Sequence, residues 1–219
     1  WVCVPAHGNP LQSLEIDVPG DISSAAFLLA AGAIVPGSRV ELPGCGVGAT
    51  RAGVLEALGS AGVRFGLLAA RRAAGEACAD LWVEHGGGAG PMTVTPSMVP
   101  RLVDEVPVLA VLAAQLPGVS VFRSVGELRV KECDRLAATV RLLTAAGRWA
   151  EVHGDDLHVH GSPGAPLRSF RFNPEHDHRM AAAAAVAALA ADGPCEVDDI
   201  GCLAVSYPGF LTDLEALRT

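Results

Sequence analysis

Aromatic residues, charged residues and cysteine motifs are all scarce in this sequence. Phe, Trp and Tyr make up 5% of the 219 residues, charged residues make up 18%, and acidic groups exceed basic ones to give a net charge of −8. A surface of that sign repels phosphate backbones and anionic lipids, which excludes a general nucleic-acid or membrane-surface binder. Any anion-binding site must therefore be local.

The cysteines and the hydrophobic segments exclude two further classes of protein. The six cysteines form no Cys-x-x-Cys pair and no small-domain disulfide pattern, which indicates reduced thiols in a cytoplasmic protein. The longest apolar run, residues 180–191, is mostly alanine and too short to span a bilayer, so it predicts a buried helix. The sequence starts at Trp1 with neither Met nor an export signal, and we expect it to be part of a longer protein.

Hydrophobic periodicity predicts alternating strands and helices. Strands are predicted at residues 14–18, 39–42, 63–67, 81–84, 119–123, 149–152 and 157–160, and helices at residues 23–34, 51–61, 103–116, 134–147 and 178–191, with a last helix from about residue 207. A unit of strand, helix, strand, helix and two strands then covers residues 14–95 and recurs over about 99–172, and a third copy stops after its second helix. This repeat predicts a pseudo-symmetric α/β domain with helices inside and sheets outside.

Residues 127–135 carry an unusual density of charge. They read Glu-Leu-Arg-Val-Lys-Glu-Cys-Asp-Arg. Leu128 and Val130 alternate with the charges as at the end of a strand, and a helical pattern follows, so we expect a strand-to-helix turn. Free N–H groups and the helix dipole favour an anion there; the cations suggest phosphate or carboxylate binding, and the Glu suggests proton transfer. The alternative is a solvated helix start.

Other predicted helix starts carry ionisable groups as well. Asp104 and Glu105 precede one helix, where carboxylates normally complement the dipole and become proton-transfer candidates only in a cleft beside a cation. His178 and Arg179 begin the most apolar helix, where a cation adds to the dipole and therefore indicates a bound anion. Asp21 or Ser23 is a candidate cap for an earlier helix.

Two weaker patterns also need an interpretation. Ser206 is predicted to cap the last helix. Two histidine pairs, His176 with His178 and His158 with His160, resemble metal ligands. We expect no metal site, because no cysteine or carboxylate set completes either pair and because we expect the second pair to point to opposite faces of a strand.

Four segments, in this order and spacing, resemble the 5-enolpyruvylshikimate-3-phosphate synthase family. They are Val-Pro-Gly-Asp-Ile-Ser-Ser-Ala-Ala-Phe at 18–27, Leu-Arg-Val-Lys-Glu-Cys-Asp-Arg-Leu at 128–136, Asp-His-Arg-Met-Ala at 177–181 and Ser-Tyr-Pro-Gly-Phe at 206–210. The likeness extends over Leu-Val-Asp-Glu-Val-Pro-Val-Leu-Ala-Val at 102–111. It covers nearly the whole chain, but only the C-terminal half of such an enzyme.

The resemblance implies a fold and a reaction. The expected fold is an inside-out α/β domain of pseudo-threefold βαβαββ units, with residues 1–219 as a single domain, its third unit incomplete and the N-terminal domain absent. The expected reaction transfers the enolpyruvyl group from phosphoenolpyruvate to the 5-hydroxyl of shikimate 3-phosphate and releases phosphate, without metal or organic cofactor. The expected partner is the N-terminal half of the enzyme, without which we expect the chain to be inactive.

The resemblance also assigns roles to residues. Asp104 would bind shikimate 3-phosphate and assist removal of the 5-hydroxyl proton, and Lys131 would contact the same substrate. Arg135 and Arg179 would bind phosphoenolpyruvate, with His178 among the substrate-binding residues. Glu132 would handle the proton at the methylene carbon.

Two positions depart from the family pattern, and two other functions stay open. Val205 stands where some members have Lys, and Glu127 where others have Asn, so we assign neither a role. The alternatives are a non-catalytic domain that binds phosphorylated ligands and a relative of UDP-N-acetylglucosamine enolpyruvyl transferase. In each case we expect no nucleic-acid and no membrane partner.

Overall fold

The computed structural model describes residues 1–3, 8, 13, 15–73 and 75–217. The helices are α1 (Ile22–Ile34), α2 (Gly53–Ser60), α3 (Val106–Ala113), α4 (Arg135–Ala145), α5 (His178–Ala188) and α6 (Phe210–Ala216). The strands are β1 (Arg39–Gly46), β2 (Arg64–Ala73), β3 (Glu76–Glu84), β4 (Thr93–Val94), β5 (Val119–Phe122), β6 (Ala150–His153), β7 (Asp156–His160), β8 (Arg171–Phe172) and β9 (Glu196–Val197). Short 3₁₀ helices cover Val99–Arg101, Val103–Glu105, Gly126–Val130 and Ile200–Val205.

Three helices, α1, α3 and α5, form the centre of the domain and pack against one another. Their sequences are apolar on every side, and nearly all their residues are buried. A helix without a polar face must be covered all round, which explains why these three lie inside and the sheets outside. Within the described ranges, no helix is long and apolar enough to cross a membrane.

Three sheets cover this centre. The first is antiparallel, in the order β1-β3-β2; the second runs β4-β5-β7-β6, with β4 parallel to β5; the third is the parallel pair β8-β9. The complete second unit is therefore β4-α3-β5-α4-β6-β7, whereas the third, β8-α5-β9-α6, ends at its second helix in the described chain. The predicted inside-out fold with an incomplete third unit is confirmed.

The predicted first strand at residues 14–18 is wrong where it can be assessed. Leu14 lies outside the described residues, and residues 15–18 belong to no strand. A single parallel bridge between Gly20 and Cys45 replaces it. Residues 15–18 are exposed, and Pro19 has no N–H to donate to a ladder, so neither burial nor pairing favours a longer strand.

Two local predictions around helix starts are also wrong. Leu128 and Val130 lie in a 3₁₀ helix, not at the end of a strand; Leu128 is buried and Val130 exposed, and this alternation imitated a strand. Ser206 does not cap the last helix, because α6 begins at Phe210 after Gly209. The three short strands β4, β8 and β9 were not predicted.

Gly161 provides a test of how closely the second sheet approaches the central helix α3. A Cβ atom at Gly161 would lie 1.8 Å from the Leu116 carbonyl oxygen and 2.7 Å from that of Ala113. Because both atoms belong to backbone, Gly161→Ala should lower the free energy of unfolding by about 3 kcal/mol. Urea unfolding measures the loss. Gly90→Ala, whose Cβ meets nothing within 4 Å, is the control, and equal losses in the two variants would contradict the close approach.

Candidate functional site

The N-terminal ends of α1, α3, α4 and α5 meet at one end of the domain. Each of α1, α4 and α5 begins after an aspartate whose side chain accepts backbone N–H groups: Asp21 from Ser24, Asp134 from Ala137, and Asp177 from Arg179 and Met180. These caps fix the helix starts, and the positive ends of four helix dipoles face one region. Five predicted site residues come together there: Asp104, Lys131, Glu132, Arg135 and Arg179.

Arg135 lies at the centre of this cluster and is almost completely buried, with 1% of its side chain exposed. Its Nε donates to Asp177 Oδ2 at 2.7 Å, its Nη1 donates to Asp104 Oδ1 at 2.9 Å, and its Nη2 donates to Glu132. Asp177 is itself fully buried. Since each partner satisfies the other's hydrogen bonds, the pair holds α4 against α5.

Asp104 is the carboxylate that the cations share. Besides Arg135, its oxygens lie 3.5 Å from Lys131 Nζ and 3.7 Å from Arg179 Nη2. Partial burial opposes ionisation of Asp104, but the combined charge of Arg179, Lys131 and Arg135 outweighs it and holds the pKa of this carboxyl below its usual range. Asp104 is therefore ionised at neutral pH and remains partly open to solvent.

Some charged residues of segment 127–135 belong to the site, and the others stabilise the local structure. Lys131 reaches Asp104 and also Glu127, whose hydrogen bond raises the Lys131 pKa, and Glu132 reaches Arg135. Arg129 instead turns away and donates to the Gly154 carbonyl at 2.8 Å. The site thus takes about half of these charges, and the others stabilise the turn and the start of α4.

His178 and Arg179 line a small cavity beside the cluster, together with Asp21, Ser23 and Tyr207. Burial, followed by the charge of Arg179, lowers the His178 pKa, so its imidazole is neutral at pH 7.

Val205, at the end of a 3₁₀ helix, is exposed and contributes no charge.

Sequence reasoning missed several polar residues of the site. Arg51 donates from Nη2 to the hydroxyl of Ser23 at 3.0 Å, and Ser23 in turn hydrogen-bonds Glu105. Nothing in the local pattern around Arg51 signals this contact. Asp177 immediately precedes α5, but nothing in the local sequence signals its ion pair with Arg135, 42 positions away.

Within the described ranges, no group of His, Cys, Asp and Glu has the arrangement of a metal site. His176 contacts Asp199 rather than His178. His158 and His160 lie two residues apart on β7 and so share one face, which corrects the expectation of opposite faces. His160 contacts Glu151 on the neighbouring strand at 3.4 Å.

Asp177 allows the strength of the cluster to be tested. Asp177→Ala would leave the buried Arg135 Nε and two backbone N–H groups without their acceptor, and it should lower the free energy of unfolding by about 3–5 kcal/mol. Asp134→Ala removes a helix cap without a buried ion pair and should cost about 1 kcal/mol. Urea unfolding compares the two variants, and losses of similar size would show that Asp177 is only a cap.

Comparison with known proteins agrees with this geometry. The family model described as EPSP synthase (3-phosphoshikimate 1-carboxyvinyltransferase) matches residues 3–214. The 3-phosphoshikimate 1-carboxyvinyltransferase of Parasynechococcus marenigrum (strain WH8102) is 44% identical over 211 residues, which are 96% of this chain and 47% of that protein. The enzyme of Desulforudis audaxviator (strain MP104C) is 44% identical over 213 residues, covering 97% and 49%.

Solved structures give the same result. EPSP synthase from Acinetobacter baumannii superposes with a TM-score of 0.89 at 32% identity, covering 96% of this chain and 48% of that one. The enolpyruvyl transferase NikO from Streptomyces tendae, with a TM-score of 0.68 at 22% identity, covers 92% and 43% and shares the fold. The chain spans about half the length of the curated relatives it matches. It belongs to the EPSP synthase (3-phosphoshikimate 1-carboxyvinyltransferase) family.

Proposed function

We propose that this chain supplies one half of a cleft in which an enolpyruvyl group passes from phosphoenolpyruvate to the 5-hydroxyl of shikimate 3-phosphate. The observation that carries the proposal is the set of three cations, Lys131, Arg135 and Arg179, around the carboxylate of Asp104. Both substrates are anions, and their mutual repulsion must be offset by fixed positive charge. Membership of the family supports this choice among phosphoryl-binding reactions.

The reaction needs three proton transfers, one from the 5-hydroxyl and two at C3, and the cluster offers one carboxyl group for each of these two positions. The 5-hydroxyl oxygen bonds to C2 of phosphoenolpyruvate while a proton is added to C3; the bond from C2 to the phosphate oxygen then breaks, and a proton leaves C3. Asp104 takes the hydroxyl proton. Glu132, half exposed and held by Arg135, gives the proton to C3 and later removes it.

Charge sharing explains how Asp104 can act as a base despite its lowered pKa. Three cations stabilise the ionised form of Asp104. Bound phosphate and carboxylate groups share those cations, which weakens their effect on Asp104 and raises its proton affinity. The carboxyl group thus becomes a better base when substrate is present. His178, as a neutral imidazole, is suited to a hydrogen bond with substrate rather than to charge compensation.

We further infer that residues 1–219 act as one domain and that an N-terminal half supplies the remaining substrate contacts. The half-length match to the relatives supports this partnership. The six cysteines form no disulfide, which supports a cytoplasmic location.

Phosphate release from phosphoenolpyruvate plus shikimate 3-phosphate tests the proposal. We expect no activity from the 219-residue chain alone and activity after it is combined with the N-terminal half of a relative, because half of the cleft cannot enclose both substrates. Activity of the chain alone would contradict the shared cleft. No activity in the folded and associated mixture would favour a domain that only binds phosphorylated ligands.

In the active mixture, Glu132→Gln should lower kcat by about 100-fold to 10,000-fold, because an amide cannot exchange the proton at C3. The KM values should change far less. Glu56→Gln is the matched control: Glu56 has 52% of its side chain exposed against 53% for Glu132, and it pairs with Arg101 as Glu132 pairs with Arg135. Steady-state kinetics separates the two effects, and an unchanged kcat in Glu132→Gln would exclude the assigned role.

A further inference from the structure

Glu105 is a buried carboxyl group next to the site for which neither helix capping nor the reaction provides a role. Only 4% of the residue is exposed, and although it immediately precedes α3 its side chain makes no capping hydrogen bond. Its Oε1 lies 3.4 Å from Arg179 Nη1, and Ser23 hydrogen-bonds it from α1. Burying a carboxyl group beside one loosely held cation is unfavourable for folding, so stability does not account for its presence.

Glu105 and Asp104 hold the same arginine from two sides. Arg179 Nη1 lies 3.4 Å from both Glu105 Oε1 and the Asp104 carbonyl oxygen, whereas its Nη2 faces Asp104 Oδ2. These distances exceed the 2.7 Å between Arg135 and Asp177. The Arg179 contacts are therefore loose enough to be exchanged for an incoming anion, while the Arg135 contact is a fixed part of the domain.

Four polar groups face Glu105 from the elements around it. Ser23 belongs to α1, Arg179 to α5, and Asp104 to the 3₁₀ helix that contains Glu105. Arg51, which precedes α2, donates to Ser23 and acts on Glu105 through its charge. Burial, the largest influence, raises the pKa of Glu105, and the charge of Asp104 adds to it, while Ser23, Arg179 and Arg51 oppose it. The carboxyl group therefore titrates above the usual glutamate range.

The protonation state of Glu105 determines the net charge that an anion encounters next to Arg179. Ionised Glu105 neutralises the guanidinium and repels the anion; protonated Glu105 still accepts a hydrogen bond from it and leaves its charge free. We propose that Glu105 is a positioning residue that orients Arg179 toward the bound phosphoenolpyruvate and, by gaining or losing a proton, sets how much of its positive charge the substrate meets. This inference rests on the proposed function, because it takes phosphoenolpyruvate as the ligand of Arg179.

Anion binding at Arg179 and proton binding at Glu105 favour each other. An anion next to Arg179 favours the protonated form of Glu105, so binding takes up a proton from solvent at pH values where Glu105 is partly ionised. As the pH rises through the raised pKa of Glu105, the carboxyl group ionises and repels the anion, so the affinity of the site for the anion falls. Below the usual glutamate pKa, Glu105 is protonated in both the free and the anion-bound protein, and its contribution to the pH dependence of affinity vanishes.

The test compares wild type with Glu105→Gln in the chain combined with an N-terminal half. Glutamine keeps the size and the hydrogen-bond acceptor but not the charge, so at about pH 8 the variant should bind phosphoenolpyruvate about fivefold to tenfold more tightly than wild type. This affinity ratio should fall toward one as the pH is lowered toward the usual glutamate pKa. Calorimetry in buffers of different ionisation enthalpy should show less proton uptake in the variant. Because titration of the substrate affects both proteins equally, it cancels in the ratio of the variant's affinity to that of wild type.

Two further variants make the result decisive. Glu84→Gln, which removes a carboxylate paired with Arg39 and Arg64 on the outer sheet, should behave as wild type at every pH. Glu105→Asp keeps the titrating group but moves it away from Arg179. At low pH, where the carboxyl group is protonated and only the positioning of Arg179 is changed, KM for phosphoenolpyruvate should rise while kcat changes less, so the test survives even if the glutamine variant fails to fold. A pH-independent affinity ratio together with equal proton uptake would overturn the inference.

Turnover and binding separate this inference from the proposed function. If the wild-type mixture releases no phosphate, the proposed function fails, and calorimetry with inorganic phosphate still reports whether Glu105 governs anion binding at Arg179. If the mixture is active but Glu105→Gln matches wild type in affinity and proton uptake at every pH, only the inference about Glu105 fails.

Discussion

The buried ion pair between Arg135 and Asp177 is the interaction on which the rest of the site depends. Moving two charges out of water is unfavourable unless every donor and acceptor is used. Here Asp177 accepts from Arg135 and from two backbone N–H groups at the start of α5, and the remaining guanidinium nitrogens reach Asp104 and Glu132. One buried cation therefore fixes the N-terminal ends of α3, α4 and α5 relative to one another.

This arrangement nearly balances the charges of the site. The four helix ends and the cations attract anions, but each cation already has a carboxylate partner. Under the proposed function, a substrate anion would therefore bind by exchange, replacing Asp104 or Glu105 as the partner of a cation. Such an exchange would moderate affinity and raise the proton affinity of the displaced carboxylates, and it would couple substrate binding to the proposed proton transfers.

Features encoded locally could be predicted from the sequence, and features made by distant contacts could not. The aspartate caps of α1, α4 and α5 stand next to their helices, so the helix starts and the ionisable residues beside them were predictable. Strands β4, β8 and β9 have two residues each and carry no periodicity. At Leu128 the prediction failed because a periodic pattern was present but misleading: burial alternates along this 3₁₀ helix as it does along a strand.

The same distinction holds within the site. Lys131, Glu132 and Arg135 come from one segment, and their proximity follows from the chain itself. Glu105 and Arg179 are 74 positions apart, and Arg51 and Ser23 are 28 apart, so only the packing of α1, α3 and α5 reveals that they form one line of contacts. For such residues, the sequence indicates the type of group but not the partner.

Lys131 is the only lysine among the 219 residues, since the other fifteen basic residues are arginines. Its position in the cluster means that the one side-chain primary amine of the chain lies beside Asp104. Guanidinium groups remain charged under almost any condition and do not form imines. Carbonyl and acylating reagents therefore have a single lysine target in this chain, and a reagent that carries its own phosphate would be drawn to that target by the surrounding arginines.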